Sequence, residues 1–297
     1  RRQRQMCIRD RYYTDAAGNK VLSGEKMMIG ALVCSIGAVI CYMLCYHMTT
    51  ERVKVEQNTQ KFSFKELISE IAHNKALIGI IVCALLFLLA QLSLSNMNNY
   101  IYPNYFGNVS AMSLANLAGM VVILVLSTFI VKLSAKVGKK ELSVIGSIIS
   151  AAAFLILFFI HTDNVWVWIV LVLISSVGTA MFNMVIWAMI TDVIDDSEVR
   201  TGVRQDGTIY SVYSFARKLG QACSSGISGV LLSIIGYTAA TAHDPKVVDG
   251  IYNVTCLVPA LGMILLFLAL QFLYPLNKKR VEENAKILKE RREAKVQ

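Results

Sequence analysis

From Ala76 to Val131 the chain runs for 56 consecutive residues without one Asp, Glu, Lys or Arg. No soluble protein of this size could cover such a stretch with a polar surface, so its solvent is lipid. Composition agrees: of 297 residues, 55% are hydrophobic and 16% charged, against about 25% charged in an ordinary soluble domain. The expected fold class is an all-α polytopic membrane protein. The net charge of +9 therefore has to be read by location before it is read as affinity for nucleic acid, and no nucleic-acid partner is expected.

Crossing roughly 30 Å of hydrocarbon takes about 20 apolar residues. Seven stretches meet that length, approximately Met27–Met48, Ala76–Met97, Ala111–Val131, Leu142–Ile160, Asn164–Thr191, Thr208–Ile235 and Ile251–Tyr274. The second can run on to Tyr102–Pro103, where proline removes a backbone donor. Basic residues resist translocation and mark the cytoplasmic side. They crowd between the first two spans (Arg52, Lys54, Lys61, Lys65, Lys75), after the third (Lys132, Lys136, Lys139, Lys140), after the fifth (Arg200, Arg204) and in the tail from Lys278 to Lys295. The alternate loops hold almost none, which predicts a cytoplasmic C-terminus in a multi-pass protein of the bacterial plasma (inner) membrane. The first eleven residues, RRQRQMCIRDR, put five arginines on the outer side. They are expected to be non-native, and residues 1–26 are read as that start plus an external loop.

The cysteines carry no CxxC signature, and Cys34, Cys41 and Cys45 on one helical face read as small buried hydrophobes. HExxH, GxSxG and GxxxxGK are absent, so no enzyme, catalytic residue or metal site is expected.

An ionisable side chain at mid-bilayer costs at least about 2.5–3.5 kcal/mol, which makes it a functional candidate. Arg217 and Lys218 lie in the sixth span, roughly 15 Å from its cytoplasmic end at 1.5 Å per residue. At helical spacing Tyr210, Tyr213, Ser214, Arg217, Gln221 and Ser224 share one face with Lys218 at its edge, while Phe215, Leu219 and Cys223 share the other. One reading has both cations snorkel to the interface. The other makes this a wet face, since Gln221 and Ser224 continue the stripe deeper. Weaker stripes recur in the fifth span (Ser176, Thr179, Asn183, Trp187) and the second (Gln91, Ser95, Asn98, Tyr102). Each alone could join helices; together they suggest one aqueous cavity. A tryptophan beside amides, tyrosines and cations has the chemistry of a sugar site.

On the cytoplasmic side, TDVIDDSEVRTGVRQDG at 191–207 is read as a loop holding Asp192, Asp195, Asp196, Glu198 and Asp206. Two readings stand: a solvated acidic loop, or salt bridges to a partner bundle that form an inner gate. VKLSAKVGKK at 131–140 is read as a basic turn that reports orientation.

The segment WAMITDVIDDSEVRTGVRQDGTIYSVYSFARKLGQA, Trp187 to Ala222, strongly resembles the signature of the glycoside–pentoside–hexuronide:cation symporters, the group of the major facilitator superfamily that holds the melibiose and glucuronide permeases. CYHMTTERV, KVGKK, IGY and FLYPLNKK extend the resemblance along most of the chain. It implies that the seven transmembrane helices resemble helices 6–12 of a twelve-helix transporter. The domains are then 27–48, the last helix of an N-terminal bundle; 49–75, a cytoplasmic central loop; 76–276, a six-helix C-terminal bundle; and 277–297, a cytoplasmic tail.

The resemblance implies symport of a sugar with Na⁺ or H⁺ by alternating access, with no cofactor beyond that ion. The partners are the lipid bilayer and the missing N-terminal bundle, which holds the cation ligands. It makes Lys218 the cation-coupling residue, sets Tyr213 and Ser214 among cavity positions, and puts Asn183 where the family has a tryptophan, with Trp187 one turn away. The substrate-binding candidates are thus Asn183, Trp187, Tyr213, Ser214, Arg217 and Gln221. The cytoplasmic gate candidates are Asp192, Asp195, Glu198, Arg204 and Asp206. Two alternatives remain, a facilitator-type transporter of another small organic solute and a seven-helix retinal receptor. The latter needs its lysine in the last span, which is charge-free here.

Overall fold

Asparagine opens three of the long helices. Asn74, Asn108 and Asn164 each turn a side-chain oxygen onto a free N–H of the first turn, accepting from Leu77, Ala111 and Trp166 at 3.1, 3.1 and 2.9 Å. Such caps satisfy donors that the helix itself cannot. The computed structural model describes residues 12–14, 20–22, 24–49, 74–204, 206–238, 241–242 and 244–296. The expected non-native start (1–11) and residues 50–73 of the expected central loop (49–75) lie outside these residues.

The chain forms two compact units, Arg1–Phe62 and Ser63–Gln297. In the first, strands β1 (Tyr12–Thr14) and β2 (Lys20–Leu22) pair antiparallel, Tyr13 opposite Val21, ahead of helix α1 (Gly24–Met48).

The second unit holds α2 (Lys75–Tyr100), α3 (Val109–Val137), α4 (Lys139–Ile160), α5 (Val165–Thr201), α6 (Asp206–Ile234), α7 (Pro245–Leu268) and α8 (Lys278–Val296). In this bundle α6 lies on α2, α2 and α4 both lie on α7, α4 packs along α5, and α5 carries α3. Wide π-turns, Ile101–Tyr105 and Ala269–Leu273, end α2 and α7. The first contains Pro103, and the wider turn accommodates a residue that cannot donate into a regular helix.

Lipid gives helices no hydrophobic reason to associate, so small residues and polar bonds must bring them together. Gly146 of α4 and Gly178 of α5 touch backbone to backbone, and a Cβ on either would collide with the carbonyl of the other. Next to them Ser150 and Ser175 share a hydrogen bond of 2.7 Å. Apolar side chains such as Phe159, Phe215 and Phe272 stand out from the bundle, more than 70% exposed, as lipid-facing residues do.

Among the described residues, six helices are long and apolar enough to cross a bilayer. The seventh expected span, α6, has a length of 29 residues, but its polar face lowers its apolarity. A clearer departure concerns 191–207. Helix α5 continues through Thr201 and stops at Gly202 in the left-handed region. Asp192, Asp195, Asp196 and Glu198 are therefore helical residues and do not sit in a loop. Hydropathy marks where α5 leaves the lipid, whereas a positive-φ glycine marks where it ends.

Candidate functional site

Helix α6 splits as its pattern predicts. Ile209, Tyr213, Gly220, Ser224 and Ser228 are buried, Gly220 meeting Leu85 of α2. Phe215, Leu219 and Cys223 are exposed on the dry face. Asn96 of α2 donates to Ser228 Oγ at 3.0 Å, one of the polar bonds that hold α6 to the bundle.

Where α6 passes α5, four side chains converge. The Arg217 guanidinium carbon lies 4.8 Å from the Trp187 ring centroid and 5.8 Å from that of Tyr213. One guanidinium nitrogen donates to the Tyr213 hydroxyl at 3.4 Å. Trp187 also meets the rings of Tyr213 and Tyr210 at 6.0 and 6.1 Å. Tyr213 is buried, while Trp187 and Tyr210 are 46% and 49% exposed. Arg217 makes no salt bridge among the described residues. The result is a half-exposed aromatic cluster with a cation over the Trp187 ring, an arrangement worth about 0.5–2 kcal/mol in cation–π attraction and suited to the C–H face of a ring.

The second and fifth stripes meet elsewhere. A cavity of about 210 Å³ between α2, α3, α4, α5 and α7 is lined by Gln91, Ser95, Asn98, Asn116, Thr179 and Asn183, with Phe154, Pro259 and Met263 among its apolar walls. Asn183 and Trp187 stand one turn apart on α5, so that helix connects the cavity with the aromatic platform.

Of the expected substrate residues, Trp187, Tyr213 and Arg217 thus come together and Asn183 joins the cavity. Ser214 and Gln221 are half-buried on α6 with no side-chain bond to the cluster. Lys218 is exposed and forms no hydrogen bond or ion pair among the described residues. Asn116 went unnoticed in the sequence because it is a lone amide in an apolar helix, without a stripe. Tyr210 was on the stripe, but only the fold sets it against Trp187.

The acidic positions form three separate sites. Arg204 holds Asp195, Glu198 and Asp206 at 3.0, 2.8 and 2.9 Å. Though burial opposes it, the hydrogen bonds that Arg204 donates to these carboxylates raise its pKa above the ordinary value. Asp192 sits apart, buried against Lys139 at 2.6 Å. Asp196 accepts from Arg280 at 3.1 Å and from Asn284 at 3.0 Å. Arg291 donates to the carbonyls of Glu198 and Val199, covering the negative end of α5. The partners of the acids thus include the basic turn and the C-terminal helix of the same unit. In the sequence both read only as markers of orientation; the basic turn has no apolar period, and in α8 the few apolar residues at helical spacing, Val281 and the buried Leu288, are outnumbered by charge.

A profile of the family described as MFS/sugar transport protein matches residues 16–278. The chain is 31% identical over 255 residues to uncharacterized symporter YjmB of Bacillus subtilis (strain 168), covering 86% of this chain and 55% of that protein. It is 30% identical over 259 residues to the glucuronide carrier protein homolog of Escherichia coli (strain K12), covering 85% and 55%. It is 24% identical over 280 residues to the isoprimeverose transporter of Lactiplantibacillus pentosus, covering 90% and 58%. The chain spans between half and two thirds of the length of these relatives.

Proposed function

Since the chain belongs to the MFS/sugar transport protein family, we propose that it works as the C-terminal half of a secondary active transporter that couples entry of a glycoside, pentoside or hexuronide to Na⁺ or H⁺ flow. It is a multi-pass membrane protein of a transporter family, not an enzyme. In this reading the C-terminus is cytoplasmic in the bacterial inner membrane, as the distribution of lysine and arginine supports. A missing N-terminal bundle faces α6 and supplies the ligands of the coupling ion, the only cofactor invoked.

The observation that carries this reading is Arg217 lying 4.8 Å over Trp187 beside Tyr213. Charge within a span is costly; here it is spent on a platform that stacks a sugar ring and offers donors to its oxygens. Tyr213, Ser214, Arg217 and Gln221 on α6, with Asn183 and Trp187 on α5, form the substrate wall of the C-terminal half. Lys218 faces the acidic cation site of the other half, so its charge responds to whether that site is filled. Asp192, Asp195, Glu198, Arg204 and Asp206 form the cytoplasmic gate, alternating access being the rocking of one half against the other.

Names of the relatives, a glucuronide carrier homolog and an isoprimeverose transporter, support a sugar as solute. The test is uptake of radiolabelled methyl β-D-glucuronide and methyl β-D-xyloside by cells making the longer transporter. Saturable, gradient-dependent uptake of either is expected. Absence of uptake for both, and for a wider series of neutral and acidic glycosides, would remove the reading.

A further inference from the structure

We infer that Asn96 of α2 is a positioning residue for the aromatic platform: its hydrogen bond to Ser228 fixes the rotation and height of α6, and with them the place of Arg217 over Trp187. This rests on the transport reading and adds to it a residue that stands apart from the platform and acts through α6.

Arg217 and Trp187 belong to different helices, so their 4.8 Å approach is set by how α6 and α5 are each held. Helix α6 rests along α2 far more than along α5, which makes α2 the element that aligns it. Ser228 follows Arg217 by eleven residues on α6. At 3.6 residues per turn and 1.5 Å per residue, that is about 20° around the helix axis and roughly 16 Å along it. The two side chains therefore leave α6 in nearly the same direction. Any turn or slide of the helix moves both, and a bond that fixes one fixes the other.

Two features hold this face on α2. Near Arg217, Gly220 meets Leu85, where a Cβ would lie 2.8 Å from a leucine methyl; this sets how closely the helices approach. Apolar contact has no preferred direction, however, and permits small slides. Asn96 supplies the direction, its Nδ2 donating to Ser228 Oγ at 3.0 Å. The Ser228 hydroxyl itself donates to the Ser224 carbonyl at 2.9 Å. With its proton turned to its own helix, the serine oxygen offers α2 only lone pairs, which an amide satisfies and an apolar side chain does not.

Adhesion between helices is the ordinary use of such a bond within a membrane, and adhesion alone needs no particular place on the helix. This bond falls on the buried stripe of Tyr213, Gly220, Ser224 and Ser228, in line with the arginine. A binding group has to be held to within about 0.5 Å by the residues behind it, and the seam on α2 does this for Arg217.

The test uses the longer transporter in proteoliposomes, with methyl β-D-xyloside and methyl β-D-glucuronide as probes. Asn96→Leu and Ser228→Ala are each expected to raise KM about fivefold while kcat stays within about twofold of wild type, the pattern of weakened binding. The double variant is expected to raise KM no further, because either change already breaks the bond. Tyr252→Phe serves as the comparison. It removes a buried hydrogen bond of 2.8 Å from α7 to the Leu157 carbonyl of α4, away from α6, and is expected to lower the thermal midpoint and leave KM unchanged. Three results overturn the positioning role and leave the transport reading standing: KM unmoved in the folded single variants, additive shifts in the double variant, or an equal KM shift in Tyr252→Phe. A wild type that carries no glycoside of the series overturns both.

Discussion

The guanidinium of Arg217 lies 4.8 Å from the ring centroid of Trp187, joining α6 to α5 through a cation–π contact. Besides this contact, the Tyr210 and Tyr213 rings meet Trp187, which is still 46% exposed. Trp187→Ala is expected to weaken sugar affinity by about tenfold or more, since it removes the stacking surface together with the group that holds Arg217. Trp187→Phe is expected to recover a large part. Equal KM values for wild type and Trp187→Ala, measured by initial-rate uptake, would contradict the platform.

Asp192 and Lys139 make a different kind of pair. The carboxylate side chain is 8% exposed and its 2.6 Å partner 32%. Removing one member of such a pair strands the other, at a cost of about 3–5 kcal/mol for a fully buried pair and less where one partner is part-exposed. Lys139→Ala is therefore expected to lower the thermal midpoint in detergent. Adding Asp192→Asn to it is expected to restore much of the loss, because no buried charge is then left unpaired. Strictly additive losses in this double-mutant cycle would show that the two groups do not interact.

Helix α8 docks on the acidic end of α5 through Arg280, Asn284, Arg291 and Arg292. Its exposed ion pairs are individually weak, about 0–1 kcal/mol each. The Asp196 carboxylate is 5% exposed, however, and depends on two of these residues. Arg280→Ala with Asn284→Ala is expected to destabilise the bundle more than Lys289→Ala with Glu293→Ala, which breaks only an exposed i,i+4 pair on the same helix. Thermal scans of both double variants in one detergent decide it; equal midpoints would mean that α8 does not support α5 through Asp196.

How far the sequence announced this molecule depends on which force did the arranging. Spans were legible because lipid imposes an apolar length, and the stripe of α6 because exposed Phe215 and Leu219 must lie opposite Tyr213 and Arg217. The end of α5 was missed: apolarity stops near Thr191, but the hydrogen-bond ladder continues in water to Gly202. The pairing of Asp196 with Arg280, 84 residues away, was likewise invisible, since charge patterns show sign and not partner. Asn116 was hidden as well, because a lone amide in an apolar helix has no stripe, and only the fold puts it on the same cavity as Asn98 and Asn183.

The most direct test of the account concerns Lys218, which carries charge on α6 with no partner among the described residues. In vesicles of the longer transporter loaded under an imposed Na⁺ or H⁺ gradient, wild type is expected to concentrate labelled glycoside above the external level. Lys218→Ala is expected to lose this accumulation while still exchanging labelled for unlabelled sugar at equilibrium, because coupling is broken and the sugar contacts remain. Gradient-driven accumulation by Lys218→Ala equal to that of wild type would contradict the account.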